Sequence, residues 1–386
     1  DTHCGGYFGP RLKAAGFDYV VITGKADKPV YLYITDQKTE ILDASDLWGK
    51  GIFFTNDTLI DRHKGTDPRV AAIGPAGENL SKIACIGVDK HRNYGRGGTG
   101  AIMGSKNLKA IVADGNAPIN YFDDAKFKEI NLKYTREITG NEGVKFRRIK
   151  GTMKCVRSGQ QYEYLPTKNH QLVQFDDFEK ISSEAAREEL NWQDTSCFNC
   201  GIRCSKWARW AGHEIEGPEY ETIYAFGGLC RIDSIEEIAW LNDICDRLGM
   251  DTICAGNLCG CAVEAARLKK ISYKIDYGDV DAVAELLRMI AERRGIGDIL
   301  ARGIIYAAKE WDMEERAVHV KGLEPPGYDP RTLKGCGLAF AVSDRGACHL
   351  RATFHTPELT GAISPETVEG KAAPAEGSRH LKDKLK

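Results

Sequence analysis

The sequence lacks the features that would assign a chain to a membrane or to a nucleic acid. Within its 386 residues no apolar run approaches the roughly 20 residues of a membrane span, and no charged segment followed by an apolar one opens the chain. Basic residues are not in excess, with 53 Lys and Arg against 55 Asp and Glu. Without a long apolar run we expect no membrane span. Because phosphate binding needs clustered positive charge, we also expect no nucleic-acid partner.

The sequence also lacks the cysteine pattern of a small disulfide-stapled scaffold. Its thirteen cysteines are an odd number in a long chain. Single cysteines scattered through a large core are typical of a reducing compartment, so we expect a cytoplasmic protein. The chain begins at Asp1 rather than Met and enters a glycine-rich motif within a few residues, so we expect that the natural protein starts further upstream.

Residue patterning divides the chain into three segments, in line with about 150 residues per domain. Residues 1–118 carry short β-branched and aromatic runs at 19–22, 30–34, 70–73, 83–86 and 108–112, which predict a β-rich domain. Residues 119–320 are dominated by helical patterns at 182–190, 234–248 and 281–294. Gly and Pro return in residues 321–386. The predicted fold class is α+β, with an N-terminal β-rich domain followed by two mainly α-helical domains, the last incomplete.

The helix predicted at 234–248 carries the clearest boundary signals. Ser234 and Glu237 fit a capping box at its start, and Gly249 fits a helix stop. The stretch from Asp246 through Thr252, which contains the end of this helix, is by itself only a helix end and a polar turn.

The strongest chemical signal is a run of three cysteines. Cys197, Cys200 and Cys204 follow a C-x2-C-x3-C spacing, which lets one loop supply three thiolates to a cube-shaped iron–sulfur cluster. Two alternatives stay open at this point. His213 could complete a Cys3His zinc site, or the cysteines could simply be buried in a loop.

A second signal is the glycine-rich segment 95–109. It holds five glycines in ten residues together with Arg96, Lys106 and Lys109. Exposed backbone N–H groups and cations form a cradle for an anion, most simply phosphate. The Lys-after-Ser order excludes a Walker loop, and no helix is expected to follow this segment. A tight turn between strands is the alternative.

Two single residues are candidates for proton chemistry. Glu221 would be a general base if burial raised its pKa, although a surface carboxylate is the plainer interpretation. His349 could donate a proton or hydrogen-bond a substrate oxygen, or it could be a structural histidine.

Taken in order, these segments resemble one family, the tungsten-dependent aldehyde:ferredoxin oxidoreductases. The resemblance runs through residues 4–9, 72–79, 95–111, the cysteine run, 216–222, 248–253, 328–331 and 345–351, and so covers nearly the whole chain. It implies one tungsten held by two pterin dithiolenes, with molybdenum as an open alternative, and Mg²⁺ bridging the pterin phosphates. It further implies a [4Fe–4S] cluster and the oxidation of small aldehydes with water to carboxylates. The electron acceptor would be ferredoxin or an iron–sulfur subunit.

The resemblance also implies roles for individual residues. Cys197, Cys200 and Cys204 resemble three cluster ligands, Glu221 resembles the active-site carboxylate, and His349 resembles a histidine that hydrogen-bonds the substrate oxygen. The remaining positions resemble cofactor contacts or, for the last, a cation near the site: Gly5, Gly6, Arg96, Gly97, Gly98, Asp246, Gly249, Asp251 and Arg351. Residues 1–118 would then be the pterin-binding domain.

The sequence departs from the family pattern in four places. A second Asp-x-x-Gly-Leu-Cys motif, which brings the fourth cluster ligand, is not found before Lys386. An upstream Arg-bearing segment is missing too, so we interpret the chain as a fragment cut at both ends. His3 replaces a frequent Asn. Trp240 replaces the His of a Glu-x-x-His motif, so a homodimer would lack the metal that this motif binds between subunits.

Two further functions remain open at the sequence level. One is a tungsten enzyme of the same family that works reductively on an acid or an aryl-CoA thioester. The other is a non-catalytic iron–sulfur electron-transfer or zinc-binding module.

Overall fold

The computed structural model describes residues 1–64, 67–367 and Lys371, and it has mixed α+β architecture, which confirms the predicted fold class. Its strands form one six-stranded and one three-stranded sheet. The strands are β1 Val30–Thr35, β2 Thr39–Asp43, β3 Arg69–Ala72, β4 Ile86–Val88, β5 Arg92–Tyr94, β6 Leu108–Asp114, β7 Gln193–Thr195, β8 Ser205–Trp210 and β9 His213–Glu216.

The helices of the described residues lie mostly after the large sheet. They are α1 Phe8–Ala14, α2 Ile52–Arg62, α3 Pro75–Glu78, α4 Thr99–Ser105, α5 Asp124–Gly140, α6 Glu142–Lys150, α7 Lys154–Gln161, α8 Ser183–Glu189, α9 Tyr220–Ile223, α10 Ile235–Leu248, α11 Thr252–Arg267, α12 Val280–Glu292, α13 Ile296–Ala301, α14 Ile304–Glu310, α15 Lys334–Val342 and α16 His355–Leu359. Short 3₁₀ turns occur at Phe178–Ile181 and Glu314–Arg316, and a π-helical turn at Tyr224–Gly228. None of the helices in the described ranges combines the length and hydropathy needed to cross a bilayer.

The six-stranded sheet has the order β2-β1-β6-β3-β4-β5. Only β1 and β6 run parallel, and β6 is buried along most of its length between β1 and β3. Small apolar clusters cover the faces of this sheet. The predicted strands at 30–34, 70–73 and 108–112 correspond to β1, β3 and β6. The strand predicted at 83–86 begins only at Ile86.

Two sequence expectations for this region are wrong. Residues 19–22 form no strand, because this segment is exposed, with Tyr19 78% and Val21 75% exposed, and it pairs with no neighbour strand among the described residues. A helix does follow the glycine-rich segment, since α4 begins at Thr99 directly after Gly98, which has a left-handed φ of 70°. A Cβ on Gly104 would lie 2.0 Å from the carbonyl oxygen of Gly77, so these glycines let α4 pack against α3.

The helical region forms the largest apolar core, with α10 and α11 at its centre. The predicted caps of α10 are confirmed: the Ser234 side chain accepts from Glu237 N, and Gly249 ends the helix in a left-handed conformation. Helix α11 is buried from Ile253 to Ala265. The helices predicted at 182–190 and 281–294 correspond to α8 and α12.

The small antiparallel sheet β7-β8-β9 was not anticipated within the helical region. Strand β7 pairs with β8 through Thr195 and Ser205, and β8 pairs with β9 through a tight turn at Ala211 and Gly212. The loop that β7 and β8 close contains the three cysteines.

Candidate active site

The cysteine loop is fixed at its base and rests on the first glycines of the chain. The pairing of Thr195 with Ser205 closes residues 196–204 into a loop. Phe198 N donates to Gly6 O at 3.3 Å. A Cβ on Gly5 would lie 2.6 Å from Cys197 Sγ, so only glycine leaves this thiol its present position. All three cysteines, Cys197, Cys200 and Cys204, are half-buried and free.

The fold argues against the zinc alternative. His213 is exposed and pairs with Trp210 at the far end of β8, whereas Cys204 precedes the near end. Five residues of extended chain separate these ends, or about 17 Å. Within the described ranges no three His, Cys, Asp or Glu side chains converge on one metal-ion position. Three thiols on one loop fit a polynuclear cluster better than a single ion.

A cavity of about 370 Å³ opens beside the cysteine loop, and we call it the carboxylate cavity. Five acidic side chains distinguish it from ordinary surface clefts. Its lining is Gly5, His91, Arg92, Asn93, Gly95, Cys204, Glu216, Gly217, Glu219, Glu221, Thr222, Asn242, Asp246, Met250, Asp251, Thr252 and Ile253. Gly5, Cys204, Glu221, Asp246 and Asp251, which the sequence singled out separately, thus meet in one place.

The two aspartates of this cavity are positioned by the α10–α11 junction. Asp246 accepts hydrogen bonds from Asn93 Nδ2 at 2.9 Å and Asn242 Nδ2 at 3.1 Å, and burial raises its pKa. Asp251 caps α11 by accepting from Ile253 N and Cys254 N. Carboxylates of this kind accept the N–H groups of a planar heterocycle such as a pterin ring. They would repel a phosphate.

The glycine-rich segment lines a different cavity, also of about 370 Å³, which we call the cationic cavity. Gly97 and Gly98 face it, with the four basic side chains Lys82, Arg302, Lys321 and Arg345 and the single carboxylate Glu324. Positive side chains beside glycine backbone suit phosphate groups. The predicted anion cradle would therefore lie at Gly97 and Gly98, whereas Gly100 and Gly104 serve helix packing.

Arg96 is buried and contacts residues that line both cavities. Its guanidinium donates to Ala347 O at 2.7 Å and to Glu324 O, and its Nε lies 3.4 Å from Asp251 Oδ2. These three partners are far apart in the sequence, and Arg96 holds their segments together. A direct contact of Arg96 with a cofactor remains a prediction.

Glu221 stands where the carboxylate cavity meets a third cavity. It lies in α9, directly before the π-helical turn, and its Oε2 accepts from Gly327 N at 3.0 Å. Its Oε1 is buried without a hydrogen-bond donor among the described residues. Burial raises the pKa of Glu221 to about 7, with Arg96 opposing the shift and Asp251 adding to it. This carboxyl can therefore take up a proton near neutral pH.

The segment opposite Glu221 is held by two tyrosines. Tyr220 and Tyr224 donate to Gly327 O and Pro325 O. A Cβ on Gly327 would lie 2.8 Å from both rings. The Pro-Pro-Gly turn at 325–327 thus fixes the backbone N–H that holds Glu221.

The third cavity has about 410 Å³, and we call it the tyrosine–histidine cavity. Two tyrosines, two histidines and two basic side chains distinguish its lining from that of the other two cavities. Its lining is Arg147, Thr152, Lys154, Cys155, Glu219, Tyr220, Glu221, Tyr328, His349, Leu350, Thr353, His355 and Thr356.

His349 faces Glu221 across this cavity. Its Nε2 lies 3.6 Å from Glu221 Oε1, too long for a hydrogen bond, and its buried Nδ1 has no partner among the described residues. Burial, helped by Arg96, His355 and Arg345, lowers the pKa of His349 to about 3. The imidazole is therefore neutral at pH 7, and the contact is not an ion pair. Glu221 and His349 thus both border the cavity without bonding to each other.

Three predicted cofactor contacts are placed outside the cavities. Gly6 packs on Arg92 and Gly249 on the backbone of Gly74, so both serve close packing. Arg351 bonds to Asp1 and to His3 at 3.2 Å. A direct cofactor contact at Gly6, Gly249 or Arg351 therefore gains no support from the geometry. Trp240, where an intersubunit metal ligand was considered, stacks on Trp210 at 6.4 Å.

Several cavity residues were not anticipated from the sequence. Tyr328 and His355 stack at 4.5 Å on the wall of the tyrosine–histidine cavity, and His91 and Arg92 face the carboxylate cavity. Their local patterns are those of ordinary loop and strand residues. Tyr328 had two signals, the Gly-Pro-rich segment before it and the resemblance at 328–331.

Two family models match the chain. The model for the N-terminal domain of aldehyde ferredoxin oxidoreductase matches residues 1–115, and the model for domains 2 and 3 of the same enzyme matches residues 129–383.

Curated relatives extend beyond this chain. The tungsten-containing aldehyde ferredoxin oxidoreductase of Pyrococcus furiosus is 37% identical over 373 residues, and that of Pyrococcus abyssi is 37% identical over 376. Each alignment covers 93% of this chain and 61% of the relative. The aliphatic sulfonate oxidoreductase WOR-like subunit of P. furiosus is 31% identical, with 93% and 63% covered. The chain therefore spans about three fifths of the length of the curated relatives that it matches.

A solved structure shares the fold. The active site complex BamBC of benzoyl coenzyme A reductase, bound to 1,5 dienoyl-CoA, superposes with a TM-score of 0.79 at 24% identity. The match covers 97% of this chain and 62% of that chain. At this identity the likeness concerns architecture alone.

Proposed function

The chain belongs to the aldehyde ferredoxin oxidoreductase family, and from this premise we propose that it is part of a tungsten-pterin enzyme that oxidises aldehydes with water to carboxylic acids. The balanced reaction takes RCHO and H₂O to RCOOH, two protons and two electrons. When bound, the metal-pterin group accepts the electron pair, and an adjacent cluster passes the electrons on singly. Molybdenum would serve equally in this proposal, since the pterin supplies the metal ligands.

Residues of this chain fit the groups that the proposal requires. Cys197, Cys200 and Cys204 would hold a [4Fe–4S] cluster, with the fourth ligand outside this chain. The carboxylate cavity would take a pterin ring through Asp246 and Asp251. The cationic cavity, with Gly97 and Gly98, would take pterin phosphates and their bridging Mg²⁺.

The observation that carries the proposal is the placement of Glu221 between two cavities. Its unsatisfied Oε1 and its pKa of about 7 suit the removal of a proton from water as water adds to the aldehyde carbon. Neutral His349 would use Nε2 to hold the aldehyde oxygen in reach. The aromatic walls of Tyr220 and Tyr328 would exclude bulk water from the reacting carbon.

The proposal extends to partners and location. Electrons would leave the half-buried cysteine loop for ferredoxin or an iron–sulfur subunit. All thirteen cysteines are free, as a reducing cytoplasm requires. A homodimer would form without a metal at position 240, which Trp240 fills with an indole ring.

Metal analysis and substrate assays on the anaerobically purified holoenzyme test the proposal. We expect tungsten and iron together, and reduction of a viologen dye by simple aldehydes. Reduction of an aryl-CoA thioester without aldehyde oxidation would favour the reductive alternative. Iron alone would indicate an electron-transfer module, and zinc alone a structural one.

A further inference from the structure

Two basic residues, Arg147 and Lys154, line the tyrosine–histidine cavity. Arg147 lies in the last turn of α6, and Lys154 begins α7. Both side chains line the same cavity as Glu221 and His349. A substrate reaching Glu221 through this cavity therefore passes two positive charges.

Neighbouring basic residues on the same stretch of chain are used differently. Arg148 donates to Gly201 O at 2.8 Å, and Lys150 pairs with Glu184 at 2.7 Å. The side chains of Arg147 and Lys154 form no ion pair or hydrogen bond with any residue that the structure describes. The two cations that face the cavity are thus the ones left available to a ligand.

The carboxylates of the cavity do not neutralise these cations. Glu219 accepts from Thr152 Oγ1 and from Ser205 Oγ at 3.3 Å, and Glu221 accepts from Gly327 N. The charge is felt inside the cavity, because burial together with the fields of Lys154 and Arg147 lowers the pKa of His355 to about 4. A neutral His355 adds no further positive charge.

We propose that this cavity is selective for aldehydes that carry a second, anionic group, a carboxylate or a phosphate, held by Lys154 and Arg147 while the aldehyde carbon lies at Glu221. This inference rests on the proposed function and names its substrate class. A volume of about 410 Å³ is at the lower end of small-molecule sites, so it suits a short-chain substrate.

Matched aldehydes test the proposal in the holoenzyme. We would compare 4-oxobutanoate, 3-oxopropyl phosphate, neutral hexanal and cationic 4-(trimethylammonio)butanal at low ionic strength. We expect kcat/KM for one or both anionic aldehydes to exceed that for hexanal by about tenfold, or ~1.4 kcal/mol, with the cationic aldehyde lowest. The preference should shrink as salt screens the charges. The two anionic arms separate a carboxylate site from a phosphate site.

Variants assign the effect to residues. In Lys154→Met the ratio of anionic to neutral kcat/KM should fall towards one, mainly through KM, and Arg147→Met should act in the same direction. Arg147 is exposed, so its replacement does not endanger folding. Lys150→Met is the matched control, since Lys150 pairs outside the cavity, and it should leave the ratio unchanged.

A binding measurement separates this inference from the proposed function. Calorimetry should detect succinate binding in the wild type and its loss in Lys154→Met. If hexanal is oxidised as well as the anionic aldehydes, the inference is wrong and the proposed function stands. If no aldehyde is oxidised, the proposed function fails, and succinate binding alone decides whether the anion site exists.

Discussion

The carboxylate cavity and the tyrosine–histidine cavity share Glu219 and Glu221 but are built from opposite materials. The first is walled by acidic side chains fixed by helix caps and amides. The second is walled by aromatic rings, two histidines and two unpaired cations. This contrast suits a fixed group rich in hydrogen-bond donors on one side and an exchangeable anionic reactant on the other. The Glu221 carboxyl borders both cavities and could act between the two.

The largest expected difference between the two cavities concerns the cysteine that borders each of them. Cys204 borders the carboxylate cavity, and Cys155 borders the other. We expect Cys204→Ser to lose most of its iron and all turnover, because a cluster needs its thiolates. Cys155→Ser is the matched control and should keep its iron. Equal iron content in both variants, measured by plasma emission, would contradict the assignment.

The next largest effect concerns the shared carboxyl. Glu221→Gln should lower kcat about 10³-fold, within the range typical of a lost general base, while tungsten and iron contents stay unchanged. Folding should not suffer, because a buried carboxyl with a raised pKa destabilises the folded state above its ordinary pKa. Glu214→Gln, at an exposed position on β9, is the control. Retained turnover in Glu221→Gln would exclude the role.

The pH dependence of kcat/KM sharpens the comparison further. A base must be deprotonated to act, so we expect activity to rise about tenfold per pH unit below pH 7 and to level off above it, following the pKa of about 7 of Glu221. His349, with a pKa of about 3, should add no step between pH 5 and 9. A profile that falls across pH 6–8 would assign the titration to an acid instead.

The smallest expected effect tests how the cysteine loop is seated. Gly5→Ala places a methyl group 2.6 Å from Cys197 Sγ, so the thiol must move and iron occupancy should fall in part. Gly9→Ala is the matched control, because no atom lies within 4 Å of its added Cβ. Iron per chain and the absorbance of the cluster measure both. Full occupancy in Gly5→Ala would show that the loop does not need this contact.

Local signals in the sequence predicted elements that are fixed locally. Helix α10 was predicted with its caps, because Ser234, Glu237 and Gly249 act within one turn of its ends. The strand predicted at 19–22 is absent, because β-propensity without a pairing partner does not make a strand. The hairpin β8–β9 was missed although its Ala211–Gly212 turn is visible in the sequence.

The site itself is non-local, and this limited what patterns alone could predict. Glu221 and His349 are 128 positions apart, and only the resemblance to a family joined them before the structure placed them 3.6 Å apart. Lys154 belongs to a segment with no distinctive spacing, and Tyr328 was marked only by the resemblance at 328–331. Arg351 bonds to Asp1, so its expected place as a cation near the site stays a prediction.

Helices α5 and α6 contain no buried residue, yet the cysteine loop leans on them. The Cβ position of Gly201 lies 3.3 Å from Thr139 Cγ2, and Arg148 donates to Gly201 O. Because α5 and α6 bury no residue, their amide hydrogens should exchange with deuterium far sooner than those of the buried helix α11. It follows that fraying of α5 and α6 would expose the half-buried sulfur atoms further to dioxygen, so the integrity of this helical pair should affect how long the protein survives in air.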